Sequence, residues 1–152
     1  MSNESIPTPE TAAHVLGRVP MFAGLDDAAL EALAGFTFQR TFQPGEAIVE
    51  EGRTGNGLYV IIDGRVEVVK SDGTERAQTL ATLGAGEPFG ELALLGEWKR
   101  TATVRAIDET TCLGIDRWLF LAHLQRQPAM AVRMLQVVAE RLVEADARLG
   151  RG

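Results

Sequence analysis

The fold class of this chain is decided by the stretch Leu58-Tyr59-Val60-Ile61-Ile62-Asp63-Gly64-Arg65-Val66-Glu67-Val68-Val69. Two apolar runs that favour β-structure are separated here by Asp63-Gly64. Asp-Gly between such runs is a strong hairpin signal, because both turn residues tolerate a positive φ. In the second run Val66 and Val68 alternate with charged residues, as in a strand with one buried face. The stretch therefore predicts an antiparallel β-hairpin.

Further short runs of the same kind surround this stretch and are separated by glycine-rich turns. The predicted strands are Phe36–Phe42, Ala47–Glu50, Gln78–Leu83, Ala102–Ala106 and Thr110–Asp116. Many short strands with regular turns predict a sandwich, a barrel or a jelly roll.

Helical patterns precede the β-rich part. Thr8-Pro9-Glu10 predicts a helix start with Thr8 as N-cap, since proline suits the first helical position. A second short helix is expected from Asp26, which can cap free amides, to Gly35, which ends it.

The pattern becomes helical again after the last predicted strand. One helix is expected over Arg117–Arg126, and Pro128 opens a final helix that runs toward Leu149. Apolar residues of this final helix recur at alternating intervals of four and three: Ala131, Leu135, Val138, Leu142, Ala145 and Leu149. Such a narrow seam is typical of a helix that pairs with another helix or covers a pocket. A homodimer through this helix is one expectation.

Composition limits the classes of function. The 152 residues fit one domain. Fifteen basic against 21 acidic residues give a net charge of −6, which argues against a nucleic-acid partner, because phosphate-backbone binders rely on basic clusters. A single cysteine, Cys112, excludes an internal disulfide. No apolar run is long enough for a membrane span and no secretory signal is recognisable, so a cytoplasmic location is expected.

Residues suited to binding chemistry concentrate between Gly84 and Arg100. Gly90 is followed by Glu91 and the helix-favouring Leu92-Ala93-Leu94-Leu95. A glycine before a short helix can offer free amides to an anion at close range. Arg100 can form a two-pronged hydrogen bond with a phosphate. Taken singly, however, these features also fit a structural turn and a solvated strand end.

The run Phe89-Gly90-Glu91-Leu92-Ala93-Leu94-Leu95, followed after four residues by Arg100-Thr101-Ala102-Thr103-Val104, resembles the phosphate-binding cassette of cyclic nucleotide-binding domains. The resemblance extends over about residues 19–149, and this part of the chain is similar to the sensor domain of the cyclic AMP receptor protein family. It implies an α+β fold with an eight-stranded antiparallel, jelly-roll-like β-roll over about residues 36–116. N-terminal helices and two C-terminal helices, the latter over about residues 117–149, flank this roll. Residues 1–18 are then a tail and a short helix, and residues 19–152 are the domain.

The resemblance also implies roles for residues that bind the sugar and phosphate. Arg100 pairs with the exocyclic oxygens of the cyclic phosphate, and Glu91 accepts a hydrogen bond from the ribose 2′-hydroxyl. Backbone amides of Gly90, Glu91 and Leu92 complete the anion site. Thr101 can bond the phosphate or, as in some relatives, a guanine amino group.

At the base end of the ligand the sequence departs from the receptor family. When the final helix is aligned on Arg141-Leu142, two hydroxyl-bearing positions of the receptor fall on Ala145 and Asp146. Asp146 can accept from an adenine amino group or from guanine donors, or it is a solvated helix residue. Apolar walls for the base are expected from Val60, Ile62, Leu80 and Leu83. Cyclic AMP is the first ligand expected, while Thr101 and Asp146 keep cyclic GMP open.

The resemblance implies a non-catalytic sensor that relays ligand occupancy through its C-terminal helix. Because no output segment is recognisable in the sequence, the effector is expected to be a separate protein. The alternative is a ligand-free scaffold with the same fold. An enzyme with a catalytic or metal site is not expected, since His14 and His123 are far apart and no HExxH, GxSxG or Walker pattern occurs.

Overall fold

The computed structural model describes residues 4–5 and 9–150 of the chain. The strands in this part are β1 (Glu4–Ser5), β2 (Thr37–Phe42), β3 (Ala47–Val49), β4 (Gly57–Asp63), β5 (Arg65–Lys70), β6 (Gln78–Gly84), β7 (Pro88–Phe89), β8 (Thr103–Ala106) and β9 (Thr110–Asp116). The helices are α1 (Pro9–Leu16), α2 (Asp27–Ala34), α3 (Arg117–Arg126) and α4 (Pro128–Arg148), and short 3₁₀ turns cover Pro20–Phe22 and Glu91–Leu94. Thr8, the predicted N-cap, lies outside the described residues, as does most of the predicted tail.

The strands form two antiparallel sheets. The order is β1-β2-β9-β4-β7 in the five-stranded sheet and β3-β8-β5-β6 in the four-stranded one. Strands β2 to β9 are the eight strands of the expected jelly-roll-like fold, which is two sheets and not a closed barrel. β1 is a further strand at the edge of the five-stranded sheet, where Glu4 pairs with Arg40 and Ser5 with Gln39 of β2. This part of the predicted tail is therefore an edge strand.

The runs on either side of Asp63-Gly64 are strands, but the predicted hairpin between them is wrong. β4 pairs with β7 and β9, whereas β5 pairs with β6 and β8 in the other sheet. Gly64 has a φ of 109°, and a Cβ there would lie 2.5 Å from Oγ1 of Thr110. The chain thus turns sharply against β9 and passes from one sheet into the other. Asp-Gly correctly signalled a turn, but the partners of each strand depend on contacts distant in sequence.

Two clusters of buried side chains lie on opposite faces of the five-stranded sheet. The cluster between this sheet and the helices includes Leu16, Leu33, Leu58, Val60 and Phe120. The cluster between the two sheets includes Phe42, Ile61, Val66, Phe89, Val104 and Cys112. Because successive side chains of a strand point to opposite faces, β4 contributes Val60 to the helix side and Ile61 to the roll interior.

Side-chain caps explain where two of the helices begin. The carboxylate of Asp26 accepts a hydrogen bond from the Ala29 amide at 2.9 Å, at the predicted start of α2. Asp116 accepts from the amides of Trp118 and Leu119 at 2.9 and 3.2 Å, where α3 follows β9. Each cap satisfies amides that have no acceptor within the helix.

The final helix, α4, packs through a different face from the predicted seam. Met130 and Met134, one turn apart, contact the helix-side cluster. Leu135, Leu142 and Leu149 of the seam are exposed. Within the described chain the seam therefore neither pairs with another helix nor covers a pocket, and it forms a free apolar surface.

Candidate functional site

The guanidinium of Arg100 is the centre of the candidate site. Nη2 donates to the carbonyl of Gly57 at 2.8 Å, and the Arg100 amide donates to the Arg53 carbonyl at 2.7 Å. The Arg100 carbonyl accepts from the Gly52 amide at 2.8 Å. The loop of residues 52–56 and the first residue of β4 therefore hold both the backbone and the side chain of this arginine.

Two glycines lie directly against this guanidinium. Gly90 has a φ of 81°, which favours glycine, and a Cβ at this position would overlap Nη1 of Arg100. A Cβ on Gly55 would lie 2.7 Å from Nε of Arg100. The structure thus brings Gly90 and Arg100 together, as expected for a site in which backbone and guanidinium approach the same anion.

The charge of Arg100 is half-buried and has no compensating carboxylate among the described residues. Nε is buried and has no hydrogen-bond partner, and no ion pair within the described chain includes this residue. Burial lowers the pKa of Arg100 from its ordinary value, Tyr59 acts to raise it, and the charge of Arg117 lowers it further. Arginine stays protonated in proteins, so the site holds a destabilised positive charge that an anion would stabilise.

The turn after Gly90 adds free backbone amides. Within it, the Ala93 amide donates to the Gly90 carbonyl at 3.0 Å and the Leu95 amide to the Leu92 carbonyl at 3.0 Å. The amides of Glu91 and Leu92 lie in the first turn and have no acceptor within the helix. Leu92 has an exposed side chain, so any role in the site belongs to its backbone.

Glu91 contacts the final helix through a residue that sequence reasoning did not assign to the site. Nη1 of Arg141, on α4, donates to Oε2 of Glu91 at 3.4 Å. In the sequence, Arg141 only marks the alignment of the final helix with the receptor family. A charged residue on a mostly exposed helix does not indicate that its partner lies fifty residues away. The contact places α4 beside the carboxylate that is expected to accept from the ribose.

The two remaining predicted site residues lie at the edge of this arrangement. Thr101 follows Arg100, and its side chain is exposed while its carbonyl accepts from Nζ of Lys70 at 2.8 Å. Asp146 is half-buried on α4, five residues beyond Arg141. Five residues correspond to about 140° around a helix, so Asp146 and Arg141 face different directions.

A small cavity of about 180 Å³ adjoins the guanidinium of Arg100. It is lined by β3, by the loop of residues 53–56 and by Tyr59. Tyr59 stacks on Phe89 with ring centroids 5.5 Å apart, which fixes its orientation. The cavity is smaller than the roughly 300 Å³ of typical ligand pockets, so a nucleotide would have to widen it.

The predicted apolar walls need correction. Val60 and Ile62 pack against the helix-side cluster, so they point away from the roll interior. Leu80 is exposed on β6, and only Leu83 packs into the cluster between the sheets. Tyr59 and Ile61 occupy the interior positions of β4 instead. Alternation along the strand was evident from the sequence, but which set faces the interior was not.

A larger open groove of about 980 Å³ lies elsewhere, between β5–β6 and the loop after β3. Its lining carries four carboxylates, those of Glu50, Glu51, Asp72 and Glu75, and two guanidinium groups, those of Arg76 and Arg105. Among the described residues that line the smaller cavity, Glu50 carries the one carboxylate, beside Arg53 and Arg100, so the smaller cavity is the better anion site.

Among the described residues, no group of three or more His, Cys, Asp or Glu side chains could hold a metal ion. None of the described helices combines the length and apolar character that crossing a bilayer requires.

Known proteins resemble this chain over most of its length. A family model described as the cyclic nucleotide-binding domain matches residues 39–127. The cyclic AMP receptor protein of Thermus thermophilus is 34% identical over 130 residues, which cover 86% of this chain and 60% of that protein. The chain therefore spans about three fifths of the length of that relative.

Solved structures agree with the fold. The N-terminal domain of a transcriptional regulator from Streptomyces coelicolor superposes with a TM-score of 0.82 at 32% identity, covering 89% of this chain and 94% of that one. A structure described as cAMP-bound PfPKA-R gives 0.68 at 31% identity, covering 75% of this chain and 40% of that one. Since the first is named a transcriptional regulator, the relatives do not support the expectation that nucleic-acid partners are absent.

Proposed function

This chain belongs to the cyclic nucleotide-binding domain family. We propose that it is a non-catalytic sensor, which binds a cyclic nucleotide and relays the occupancy of its site through α4. The observation that carries the proposal is the half-buried guanidinium of Arg100, which lies against Gly90 with its Nε buried and with no carboxylate partner in the described chain. A partly desolvated cation without a counter-ion is unfavourable, and the cyclic phosphate would supply the missing negative charge.

The phosphate and the ribose of a cyclic nucleotide each have a matching group at the site. The guanidinium of Arg100 can donate two parallel hydrogen bonds to the exocyclic phosphate oxygens. The amides of Glu91 and Leu92 offer further donors on the same side. The Glu91 carboxylate, which now accepts from Arg141, can accept from a ribose hydroxyl.

We propose cyclic AMP as the ligand and cyclic GMP as the second candidate. Two of the similar proteins carry cyclic AMP in their names, which supports this order. Thr101 and Asp146 remain the residues that are predicted to form hydrogen bonds with the base. A difference of affinity between the two nucleotides would have to come from groups at that end of the ligand, because sugar and phosphate are identical.

The proposed output surface is the exposed seam of α4. Its leucines can pair with the same helix of a second copy or with an effector protein in the cytoplasm. Arg141 connects this helix to Glu91, so a ligand at Glu91 has a direct contact through which to move or order α4. Only a difference in affinity between the two arrangements of α4 can drive such a change.

Calorimetric titration with cyclic AMP and cyclic GMP tests the proposal. The unchanged chain should bind at least one of them, and ligand at 100 times its dissociation constant should add about 2.7 kcal/mol to the free energy of unfolding. Arg100→Ala should abolish binding. Arg65→Ala is the matched control, because the Arg65 guanidinium is exposed, is paired with Asp108 and does not line the cavity beside Arg100.

Three other outcomes would overturn the proposal. If neither nucleotide binds at millimolar concentration, the ligand-free scaffold is the better description. If Arg100→Ala binds as tightly as the unchanged chain, the site is elsewhere. If chromatography shows that the nucleotide is consumed on incubation, the protein is an enzyme.

A further inference from the structure

Arg117, the first residue of α3, is buried to an extent that is rare for an arginine. Only 4% of its surface is exposed. Its amide donates to the carbonyl of Asn56 at 2.8 Å, which joins the start of α3 to the loop before β4. No role was predicted for this residue from the sequence, where it is only the beginning of a helix.

One nitrogen of Arg117 contacts carbonyls of two separate segments. Nη1 donates to Gly55 at 2.6 Å, and to Ala93 and Gly96 at 3.2 and 3.1 Å. Gly55 lies in the loop that holds Arg100, and Ala93 lies in the turn that begins at Gly90. Both segments lie against the Arg100 guanidinium, one at Gly55 and the other at Gly90, so Arg117 joins both of them to α3.

The contacts with the turn also have a direction. Arg117 binds carbonyls near the carboxyl end of the turn Glu91–Leu94, where the backbone dipoles are negative. Gly90, which lies against the Arg100 guanidinium, is at the other end of the same turn. Holding the carbonyl end in place therefore limits how far Gly90 can move from Arg100.

The charge of Arg117 is only weakly compensated. Its ion pair is with Glu97, at 3.6 Å, and the Glu97 side chain is 62% exposed, so solvent screens it. Nε of Arg117 is buried and has no hydrogen-bond partner among the described residues. The positive charge of Arg117 also acts on the neighbouring guanidinium of Arg100, whose pKa it lowers. A second cation thus adds to the positive potential behind the anion site.

We propose that Arg117 is a positioning residue of the anion site, which holds the loop of Gly55 and the turn of Ala93 in register around Arg100. It does not touch the ligand and acts through these two backbone segments and through its charge. This inference rests on the proposed function, since it assigns the residue a role in nucleotide affinity.

Two substitutions separate this role from simple support of the fold. Arg117→Lys keeps the charge, but the ammonium lies one bond nearer to the backbone than Nη1 does. It therefore cannot contact the carbonyls of Gly55 and Ala93 at the distances that Nη1 reaches, and it has no second nitrogen for the pair with Glu97. This substitution should weaken cyclic AMP binding about tenfold, the equivalent of one lost hydrogen bond to a charged group. Arg117→Met loses the charge as well and should weaken binding further. Arg126→Lys and Arg126→Met are the matched controls, because Arg126 is exposed at the other end of α3.

Affinity is measured by calorimetry at a temperature well below the unfolding midpoint of each variant. Hydrogen exchange of the Gly55 amide, which donates to the Trp98 carbonyl at 3.0 Å, reports on the contact between the loop of Gly55 and the segment that follows the turn. It should be faster in Arg117→Lys than in the control variants. If Arg117→Met does not fold, the lysine variant decides.

The inference is overturned if Arg117→Lys binds cyclic AMP with the affinity of the unchanged chain and its Gly55 amide exchanges at the unchanged rate. It is also overturned if the unfolding midpoint of the variant falls while its affinity for cyclic AMP stays the same. If the unchanged chain binds neither nucleotide, the proposed function fails. The exchange rate at Gly55 then still tests whether Arg117 holds the two segments together.

Discussion

Nη1 of Arg141 lies 3.4 Å from Oε2 of Glu91, and this contact joins the final helix to the turn that follows Gly90. The Glu91 side chain is only 19% exposed, whereas that of Arg141 is half-exposed. The carboxylate is therefore held at the site by the fold, and the arginine reaches it from a helix whose outer face is free.

Arg141→Ala tests whether this contact transmits occupancy. We expect a change of less than about 1 kcal/mol in the free energy of unfolding, because half-exposed ion pairs contribute little. Protection of α4 amides from hydrogen exchange upon addition of cyclic AMP should be reduced. Equal protection in the variant and in the unchanged chain would show that α4 responds by another route. Arg133→Ala is the control, since Arg133 lies on the same helix but donates to Gly24.

Gly90→Ala should abolish nucleotide binding, because the added methyl group would occupy the position of the Arg100 guanidinium. Gly73→Ala is a matched control. Gly73 has a similar φ of 77°, but open space surrounds it. Both changes carry backbone strain of about 1 to 2 kcal/mol, measurable by urea unfolding. Retained binding in Gly90→Ala would place the anion elsewhere.

Cys112 should make the stability of the protein depend on alkaline pH. Burial raises the pKa of this thiol to about 12 from an ordinary value of 9.0. Between these values the unfolded chain loses the proton first, so the free energy of unfolding falls as pH rises, by up to about 1.4 kcal/mol per unit. Urea titrations at pH 8 and pH 10.5 measure the slope, and Cys112→Ala isolates it from other groups. The same slope in both proteins would contradict the burial of the thiol.

Leu142→Gln tests the proposed pairing of α4. Leu142 is 62% exposed, so the substitution should leave the unfolding midpoint nearly unchanged and weaken self-association measured by light scattering. Met134→Ala, on the buried face, should instead destabilise the fold by about 2 to 4 kcal/mol. An unchanged chain that is monomeric at high concentration would exclude the dimer.

The local features of this protein could be predicted from its sequence with good accuracy. The predicted strands of β4, β5 and β9 agree with the structure to within one residue, and so do the cap at Asp26 and the starts of α3 at Arg117 and α4 at Pro128. All of these features depend on residues next to one another. Turn residues, caps and side-chain periodicity act over one or two turns of chain, so they can be recognised without a partner. The resemblance of the Gly90–Arg100 segment to a known cassette then indicated the family.

Tertiary structure alone decided how these elements meet. It placed β4 and β5 in different sheets, turned Tyr59 rather than Val60 into the roll, and brought Arg141 to Glu91 and Arg117 to Gly55. Each of these outcomes depends on groups far apart in sequence, whose proximity comes from burial of two separate apolar clusters. The sequence by itself determined which segments are strands, helices and turns and which residues suit an anion. The packing of the two sheets and four helices determined which of those residues share one site.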